Sequence, residues 1–308
     1  WWNVFWSMEY NAFDEVDLPN LTVTEPNPSH TLDFYRFSSD SVIRYNKLQV
    51  NILRKYSDKP ITHNAMGFFG QYDHYKLAKD LDAVTWDSYP LGALELAFTS
   101  PSEVSGTSVG AISFPEDLKN KYMRSGHPDL ISFNHDLYYG LKDKPFWVIE
   151  QQPGQVNWAP TNPLPAPGVV RLWTHQAFAH GADVVAYFRW RAANGAQETM
   201  HAGLNLFDGS PDAATREAKQ VAKELSVITK TKAAMKQDKV ALLFDYENLW
   251  ATSIQPHSST WNYWALQMTY YTALRGLGLD VAIVHPHSDL SNYNVVLAPA
   301  LNMVDDAL

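Results

Sequence analysis

The 308-residue sequence contains no cysteine, which excludes disulfide bonds and thiolate metal sites from these residues. It has no glycine-rich motif of the GxGxxG or GxxxxGK[ST] type, so nothing in it indicates a nucleotide site. No apolar run approaches the roughly 20 residues that a membrane-spanning helix needs. Charged residues make up only 19% and hydrophobic residues 45%, a balance that allows a large core and argues against disorder.

Aromatic side chains, by contrast, are abundant: 11 Trp, 16 Tyr and 14 Phe together make up 13% of the chain. Such side chains fill cores, but indole faces also stack on the C–H faces of sugars, and both interpretations stay open. The net charge is −9 and the pI is about 5.6, so neither a nucleic acid nor an anionic membrane surface is an expected partner.

A short apolar run ends on one carboxylate, Glu150. Residues 146–149 are aromatic or β-branched and are bounded by proline and by a Pro-Gly pair, which predicts a buried strand. A carboxylate at the end of a buried strand is costly unless it is paired or used. In parallel α/β folds the carboxyl ends of strands carry the chemistry. Glu150 is therefore the leading catalytic candidate, and the competing interpretation is an ion pair with an arginine such as Arg171 or Arg189.

Strands and helices alternate along the first 236 residues, which favours a parallel sheet. Asn27-Pro28 marks a helix start and Gly181 a helix end. We predict strands at 60–66, 81–89, 146–150 and 183–190, with helices at 28–55, 73–81, 128–141, 169–180 and from Ser210-Pro211 to about 230.

The four predicted strands all end in polar or aromatic residues, which places these side chains at one end of the sheet. They are Asn64, Asp87 with Tyr89, Glu150, and Phe188 with Arg189. A full (β/α)₈ TIM barrel takes roughly 250 residues and eight strands. The fold class that we predict is therefore α/β, with the C-terminal half of a (β/α)₈ TIM barrel.

The pattern restarts after residue 236, with strands at 240–246, 281–285 and 295–299 and a helix at 260–276. This predicts the start of a doubly wound, flavodoxin-like α/β domain. We expect residues 1–236 to belong to the barrel and residues 237–308 to a second domain with an assembly role. Because both ends of the sequence interrupt predicted structure, we expect a fragment of a longer protein.

Glu198 and His201 stand three residues apart in a long predicted loop, in the sequence QETMH. Such spacing can hold a metal ion, but no third ligand is near, so no metal site is expected. The carboxylate could accept from sugar hydroxyls while the imidazole donates to them; a solvated turn is the alternative. Trp158 follows the Glu150 strand and could either stack on a sugar ring or cover the top of the barrel.

Three long segments resemble the same protein family. They are NVFWSMEYNAFDEVDLPNLTVTEPNPSHTLDFYRF, the segment from FWVIEQQPGQVNW to ETMHAGL, and KVALLFDYENLWA. Together they resemble the family 42 glycoside hydrolases, the bacterial β-galactosidases of the GH-A clan, over essentially the whole chain. The resemblance implies a retaining glycosidase without a cofactor, in which two carboxyl groups lie about 5–5.5 Å apart. It also implies that the second domain forms trimers.

The resemblance implies a role for individual residues. The family's nucleophile matches Glu150, and its galactose-binding residues match Trp6, Trp158, Phe188, Glu198 and His201. The acid/base glutamate is expected in an Asn-Glu pair, which this sequence does not contain. We therefore expect the 308 residues alone to be nearly inactive. The phenol of Tyr89 could hydrogen-bond the Glu150 carboxylate.

Two alternatives to a β-galactosidase stay open. One is a relative that cleaves α-L-arabinopyranosides, which match β-galactosides except at C5. The other is a non-catalytic sugar-binding or assembly protein built on the same fold. The expectation is a β-galactoside substrate, a homotrimer in the intact protein and a cytoplasmic location, without metal, nucleic-acid or membrane partners.

Overall fold

The computed structural model describes residues 9–22, 24–97, 116–228 and 240–308. Its helices are α1 (Pro28–Leu53), α2 (His74–Ala78), α3 (Pro90–Ala97), α4 (Glu116–Tyr122), α5 (Pro128–Gly140), α6 (Val169–Ala179), α7 (Ala213–Ile228), α8 (Tyr246–Ile254) and α9 (Tyr263–Gly276). Its strands are β1 (Asn64–Met66), β2 (Thr85–Ser88), β3 (Phe146–Gln151), β4 (Ala182–Tyr187), β5 (Val240–Leu243), β6 (Val281–Val284) and β7 (Val295–Leu297). None of these described helices is both long and apolar enough to cross a membrane.

Strands β1 to β4 form a parallel sheet in chain order, as the sequence predicted for the barrel strands. One face of this sheet packs on helices α2, α5 and α6, where Ala65, Trp86 and Val148 belong to one apolar cluster. The opposite face is more open, and β1 alternates from exposed Asn64 through buried Ala65 to exposed Met66. Side chains on the open face are therefore the ones that can meet a ligand.

Strands β5, β6 and β7 form a second parallel sheet with β5 in the middle. A central first strand is typical of a doubly wound sheet. Among the described residues, the largest apolar cluster joins both parts of the chain and includes Phe133 of α5, Trp264 of α9 and Ile283 of β6. The division into domains at residue 236 stays a prediction.

Several predicted boundaries differ from the structure: β1 begins at Asn64 and not at residue 60, and β2 begins at Thr85 and not at residue 81. Local hydrogen bonds explain two further differences. Helix α7 begins at Ala213 and not at Ser210, because the amide and hydroxyl of Ser210 close a turn on the Asp208 carboxylate at 2.9 and 2.7 Å. The strand predicted at 240–246 ends at Leu243, because the Asp245 carboxylate accepts two backbone amides and starts α8.

Helix α5 lies between the two sheets and is buried along residues 130–138. Its carboxylate Asp136 accepts a hydrogen bond from the Tyr271 hydroxyl of α9 at 2.5 Å and hydrogen-bonds His180 Nδ1 at 2.7 Å. Helix α5 ends at Gly140, where a Cβ atom would lie only 1.8 Å from the Ile283 carbonyl oxygen of β6. The absence of a side chain at Gly140 therefore allows α5 and β6 to approach closely.

We expect Gly140→Ala to lower the free energy of unfolding by about 1–3 kcal/mol, because the new methyl group meets backbone that cannot move aside. Urea unfolding measures this change. The control is Gly276→Ala, since Gly276 also ends a helix but nothing lies within 4 Å of the place that its methyl group would take. Equal unfolding free energies for the two variants would contradict the close contact between α5 and β6.

Candidate active site

One extra residue in β3 turns Glu150 toward the open face of the first sheet. Trp86 of β2 lies opposite Val148, but the next residue, Asp87, lies opposite Glu150, so Ile149 is inserted as a β-bulge. Residues opposite each other on neighbouring strands point to the same face. Strict alternation would instead have placed Glu150 on the face of Val148, which is completely buried against the helices.

The Glu150 carboxylate receives a hydrogen bond on each of its two oxygens. The Asn64 side-chain amide of β1 donates to Oε1 at 3.0 Å, and the Tyr89 hydroxyl donates to Oε2 at 2.5 Å. Asn64 is assigned as the donor because an ionised carboxylate can only accept. The structure thus contains the Tyr89 hydrogen bond suggested by the sequence and adds a second donor.

The ion pair considered for Glu150 is absent from the described residues, because both arginines bind other carboxylates. Arg171 pairs with Glu224 at 2.8 Å on the outer surface. Arg189 pairs with the carboxylate of Glu198 at 3.0 Å and also donates to its backbone carbonyl at 2.6 Å. Glu150 is therefore held by neutral donors and not by a cation in the described structure.

Two glutamines fix the chain beside Glu150. The backbone amide of Gln152 donates to the Ser88 carbonyl at 2.9 Å, and the side-chain oxygen of Gln152 accepts from the backbone amide of Leu91 at 3.0 Å. Gln151 also donates to the Ser88 carbonyl, at 3.3 Å. These bonds join the end of β3 to the turn between β2 and α3, and this turn carries Tyr89.

A cavity of about 490 Å³ opens at this end of the sheet. Six residues singled out from the sequence line it: Tyr89, Glu150, Trp158, Phe188, Glu198 and His201. Its wall also contains Asp87 and apolar residues such as Met66, Phe69 and Leu96. Trp6, the remaining predicted substrate-binding residue, lies outside the described residues. The structure therefore brings together all the predicted site residues that it describes.

His201 is buried at one wall of the cavity, with its ring edge-on to Tyr89 and Phe188 at centroid distances of 5.7 and 5.2 Å. Its Nδ1 lies 3.1 Å from the Ala202 carbonyl oxygen, which can only accept. Nδ1 is therefore the protonated nitrogen, and in the neutral ring Nε2 accepts a hydrogen bond. With Nδ1 bound in this way, the donor role expected for the imidazole requires a doubly protonated ring, and it stays a prediction.

Trp158 lies across helix α3 with 45% of its surface exposed, edge-on to Tyr89 at 5.6 Å. It fits there because Gly92 has no side chain. A Cβ atom on Gly92 would lie 2.2 Å from the end of the indole ring. Gly92 thus sets the position of an aromatic surface at the cavity.

Two groups beside Glu150 hold their protons strongly. Burial, followed by the charge of Glu150, raises the pKa of Asp87 to about 8. Burial and the hydrogen bond to Glu150 raise the pKa of Tyr89 well above its usual value. At neutral pH both groups are therefore protonated, and the Tyr89 phenol is the donor to Glu150.

Sequence reasoning assigned no role to Asn64, Asp87 or Gly92. Asn64 and Asp87 were noted only as the polar ends of predicted strands. The signal for Asn64 is its place one strand beyond Asp87, because polar residues at the ends of parallel strands converge. Gly92 has no local signal, since its effect depends on an indole ring 66 residues further along the chain.

Comparison with known proteins gives consistent matches along the whole chain. The family model described as beta-galactosidase matches residues 1–228, and the one described as beta-galactosidase trimerisation domain matches residues 238–308. Beta-galactosidase BgaA of a Thermus species is 52% identical over 305 residues, which cover 99% of this chain and 45% of that protein.

Solved structures give the same result. The beta-galactosidase of the psychrophilic Marinomonas ef1 is 47% identical, with a TM-score of 0.91 over 99% of this chain and 46% of its own. That of Halorubrum lacusprofundi is 44% identical, with a TM-score of 0.87 over 98% of this chain and 43% of its own. The chain spans less than half the length of these relatives. On the family model and these identities, the chain belongs to glycoside hydrolase family 42.

Proposed function

We propose that this chain carries the nucleophile side of a retaining β-galactosidase, which hydrolyses terminal, non-reducing β-D-galactosides by double displacement. The observation that carries the proposal is the Glu150 carboxylate, which is turned to the open face of the sheet and held by Asn64 and Tyr89 beside the cavity. The names of the relatives support the choice of sugar.

In the proposed reaction, Glu150 attacks the anomeric carbon and forms a glycosyl-enzyme ester. The glycosidic bond breaks, and its electron pair leaves with the aglycone oxygen, which takes a proton from the acid/base glutamate. Water then releases galactose with the same residue acting as base. We place this glutamate in an Asn-Glu pair, which is absent from the 308 residues. We place it on a strand that completes the barrel with β1–β4.

The remaining cavity residues would bind the sugar. Glu198 accepts from hydroxyl groups and is oriented by Arg189, while His201 binds a further hydroxyl through Nε2. Trp158 and Phe188 provide apolar faces, and Trp6 is proposed for the same use. The match of residues 238–308 to a trimerisation domain supports a homotrimer in the intact protein. The cytoplasmic location stays a prediction.

In the full-length enzyme, Glu150→Ala is expected to lower kcat for nitrophenyl galactoside by at least about 10⁴-fold, because no nucleophile remains. Azide should restore turnover and give the α-galactosyl azide, since it fills the space of the lost carboxylate on the nucleophile side. NMR of the product identifies the anomer.

The control is Glu15→Ala. It removes an exposed carboxylate that precedes the first strand of the sheet by many residues in the sequence, and it should leave turnover unchanged. A β-galactosyl azide would instead make Glu150 the acid/base. No azide product together with normal folding would contradict the proposed role altogether.

We expect Gly92→Ala to raise KM for galactosides roughly tenfold, which corresponds to about 1.4 kcal/mol of lost binding, with a smaller effect on kcat. The three atoms nearest to the added methyl all belong to the Trp158 ring, so the change acts on the position of that ring. Steady-state kinetics measures the effect, with Gly276→Ala as the control. An unchanged KM would show that the position of Trp158 does not contribute to substrate binding.

Asp87→Asn tests the protonated state of Asp87. Because the pKa of Asp87 is about 8 in the folded protein and near 4 when unfolded, its contribution to stability is present below about pH 4 and is lost as the pH rises to 8. The amide does not titrate, so the variant should gain roughly 1–3 kcal/mol of unfolding free energy relative to wild type between pH 4 and pH 8. Urea unfolding across this range measures the difference. A difference that is constant with pH would show that Asp87 titrates normally.

A further inference from the structure

The two oxygens of Glu150 face different surroundings. Oε2 lies against Tyr89, which lines the cavity and contacts the rings of Trp158 and His201. Oε1 is bound by Asn64, which stands two residues before Met66 on β1 and is not among the described residues of the cavity wall. One oxygen of the carboxylate therefore faces a residue of the cavity wall, and the other faces a residue of β1.

We propose that Asn64 is a positioning residue, which anchors Oε1 so that Oε2 is the oxygen that attacks the anomeric carbon. This inference rests on the proposed nucleophile role of Glu150. The terminal torsion of a glutamate side chain is broad, so a single donor leaves the carboxylate free to turn. Two donors from different elements, strand β1 and the turn after β2, fix its plane.

The hydrogen bond from Asn64 can persist through both steps of the reaction. When Oε2 forms the bond to the anomeric carbon, the glycosidic bond breaks and its electron pair leaves with the aglycone oxygen. Oε1 becomes the carbonyl oxygen of the ester and still accepts from the Asn64 amide. Tyr89, by contrast, faces the oxygen that becomes esterified. Asn64 is thus the donor that keeps its acceptor in the free enzyme and in the intermediate.

The geometry of the sheet supports this assignment. Asn64 lies opposite Thr85, and Met66 lies opposite Asp87, which in turn lies opposite Glu150. The Asn64 side chain therefore reaches diagonally across β2 on the open face. The hydroxyl of Thr85, the residue between them, is used elsewhere: it donates to the His63 carbonyl at 2.6 Å. Asn64 belongs to none of the apolar clusters of the described residues.

The test compares Asn64→Ala and Asn64→Asp in the full-length enzyme. We expect Asn64→Ala to lower kcat roughly tenfold to a hundredfold, because a hydrogen bond to a charged group is lost. Asn64→Asp keeps the shape of the side chain but turns the donor that faces Oε1 into an acceptor. Its loss of kcat should therefore be larger than that of Asn64→Ala. KM should change less than about threefold, since the proposed sugar-binding side chains are untouched.

The controls separate positioning from folding. Asn51→Asp, on the exposed surface of α1, makes the same change of charge and should keep kcat. Both Asn64 variants should melt within about 3 °C of wild type, because neither change removes an apolar side chain from a packed cluster. Azide should not restore their turnover, since the nucleophile is still present.

Wild-type kcat in Asn64→Asp would overturn the proposal, as would a loss of kcat that comes with a large fall in melting temperature in both variants. The nucleophile assignment is judged independently from Glu150→Ala with azide. If that variant gives the α-azide while Asn64→Asp behaves like wild type, only the positioning role fails. If Glu150→Ala gives no α-galactosyl azide, the proposed nucleophile role of Glu150 fails, and the positioning role of Asn64 fails with it.

Discussion

The residue inserted at Ile149 decides which face of the first sheet receives Glu150. Side chains alternate strictly along a strand, so one insertion reverses the orientation of everything that follows it. Without the insertion, the carboxylate would lie on the helix-covered face, where burial without partners costs several kcal/mol. The hydrogen bonds from Asn64 and Tyr89 depend on this reversal. The pKa of Asp87 is raised mainly by burial, and the charge of Glu150, which the reversal brings close, raises it further.

Local signals in the sequence were sufficient for most of the fold. Asn27 begins α1 as predicted, because its side chain accepts the Ser29 amide at 2.9 Å. The short helices α3, α4 and α8 were missed, since seven to nine residues show too little periodicity. Helix α8 instead depends on distant contacts: the Trp250 indole donates to the Gly70 carbonyl, 180 residues earlier, at 2.6 Å.

The candidate site was predictable in part. Glu150 was visible as a charged end of a buried strand, and the other cavity residues followed from resemblance; their roles stay predictions. The partners of Glu150 were harder to find, because a bulge shifts the register between β2 and β3 and the sequence does not show such a shift. Gly92 matters because it has no Cβ atom, which leaves room for the Trp158 ring. This contact is visible only in the folded chain.

Helix α5 has consequences for how this architecture can be rebuilt. It is buried along residues 130–138, with one side on the sheet that carries Glu150 and the other on β6 and α9. Asp136 and Gly140 fit particular atoms of Tyr271 and Ile283. A chimera that exchanged residues 240–308 for those of a relative would therefore have to import the matching side of α5 as well. The unit that can be exchanged in this fold therefore extends beyond residues 238–308, the segment that matches the trimerisation-domain model.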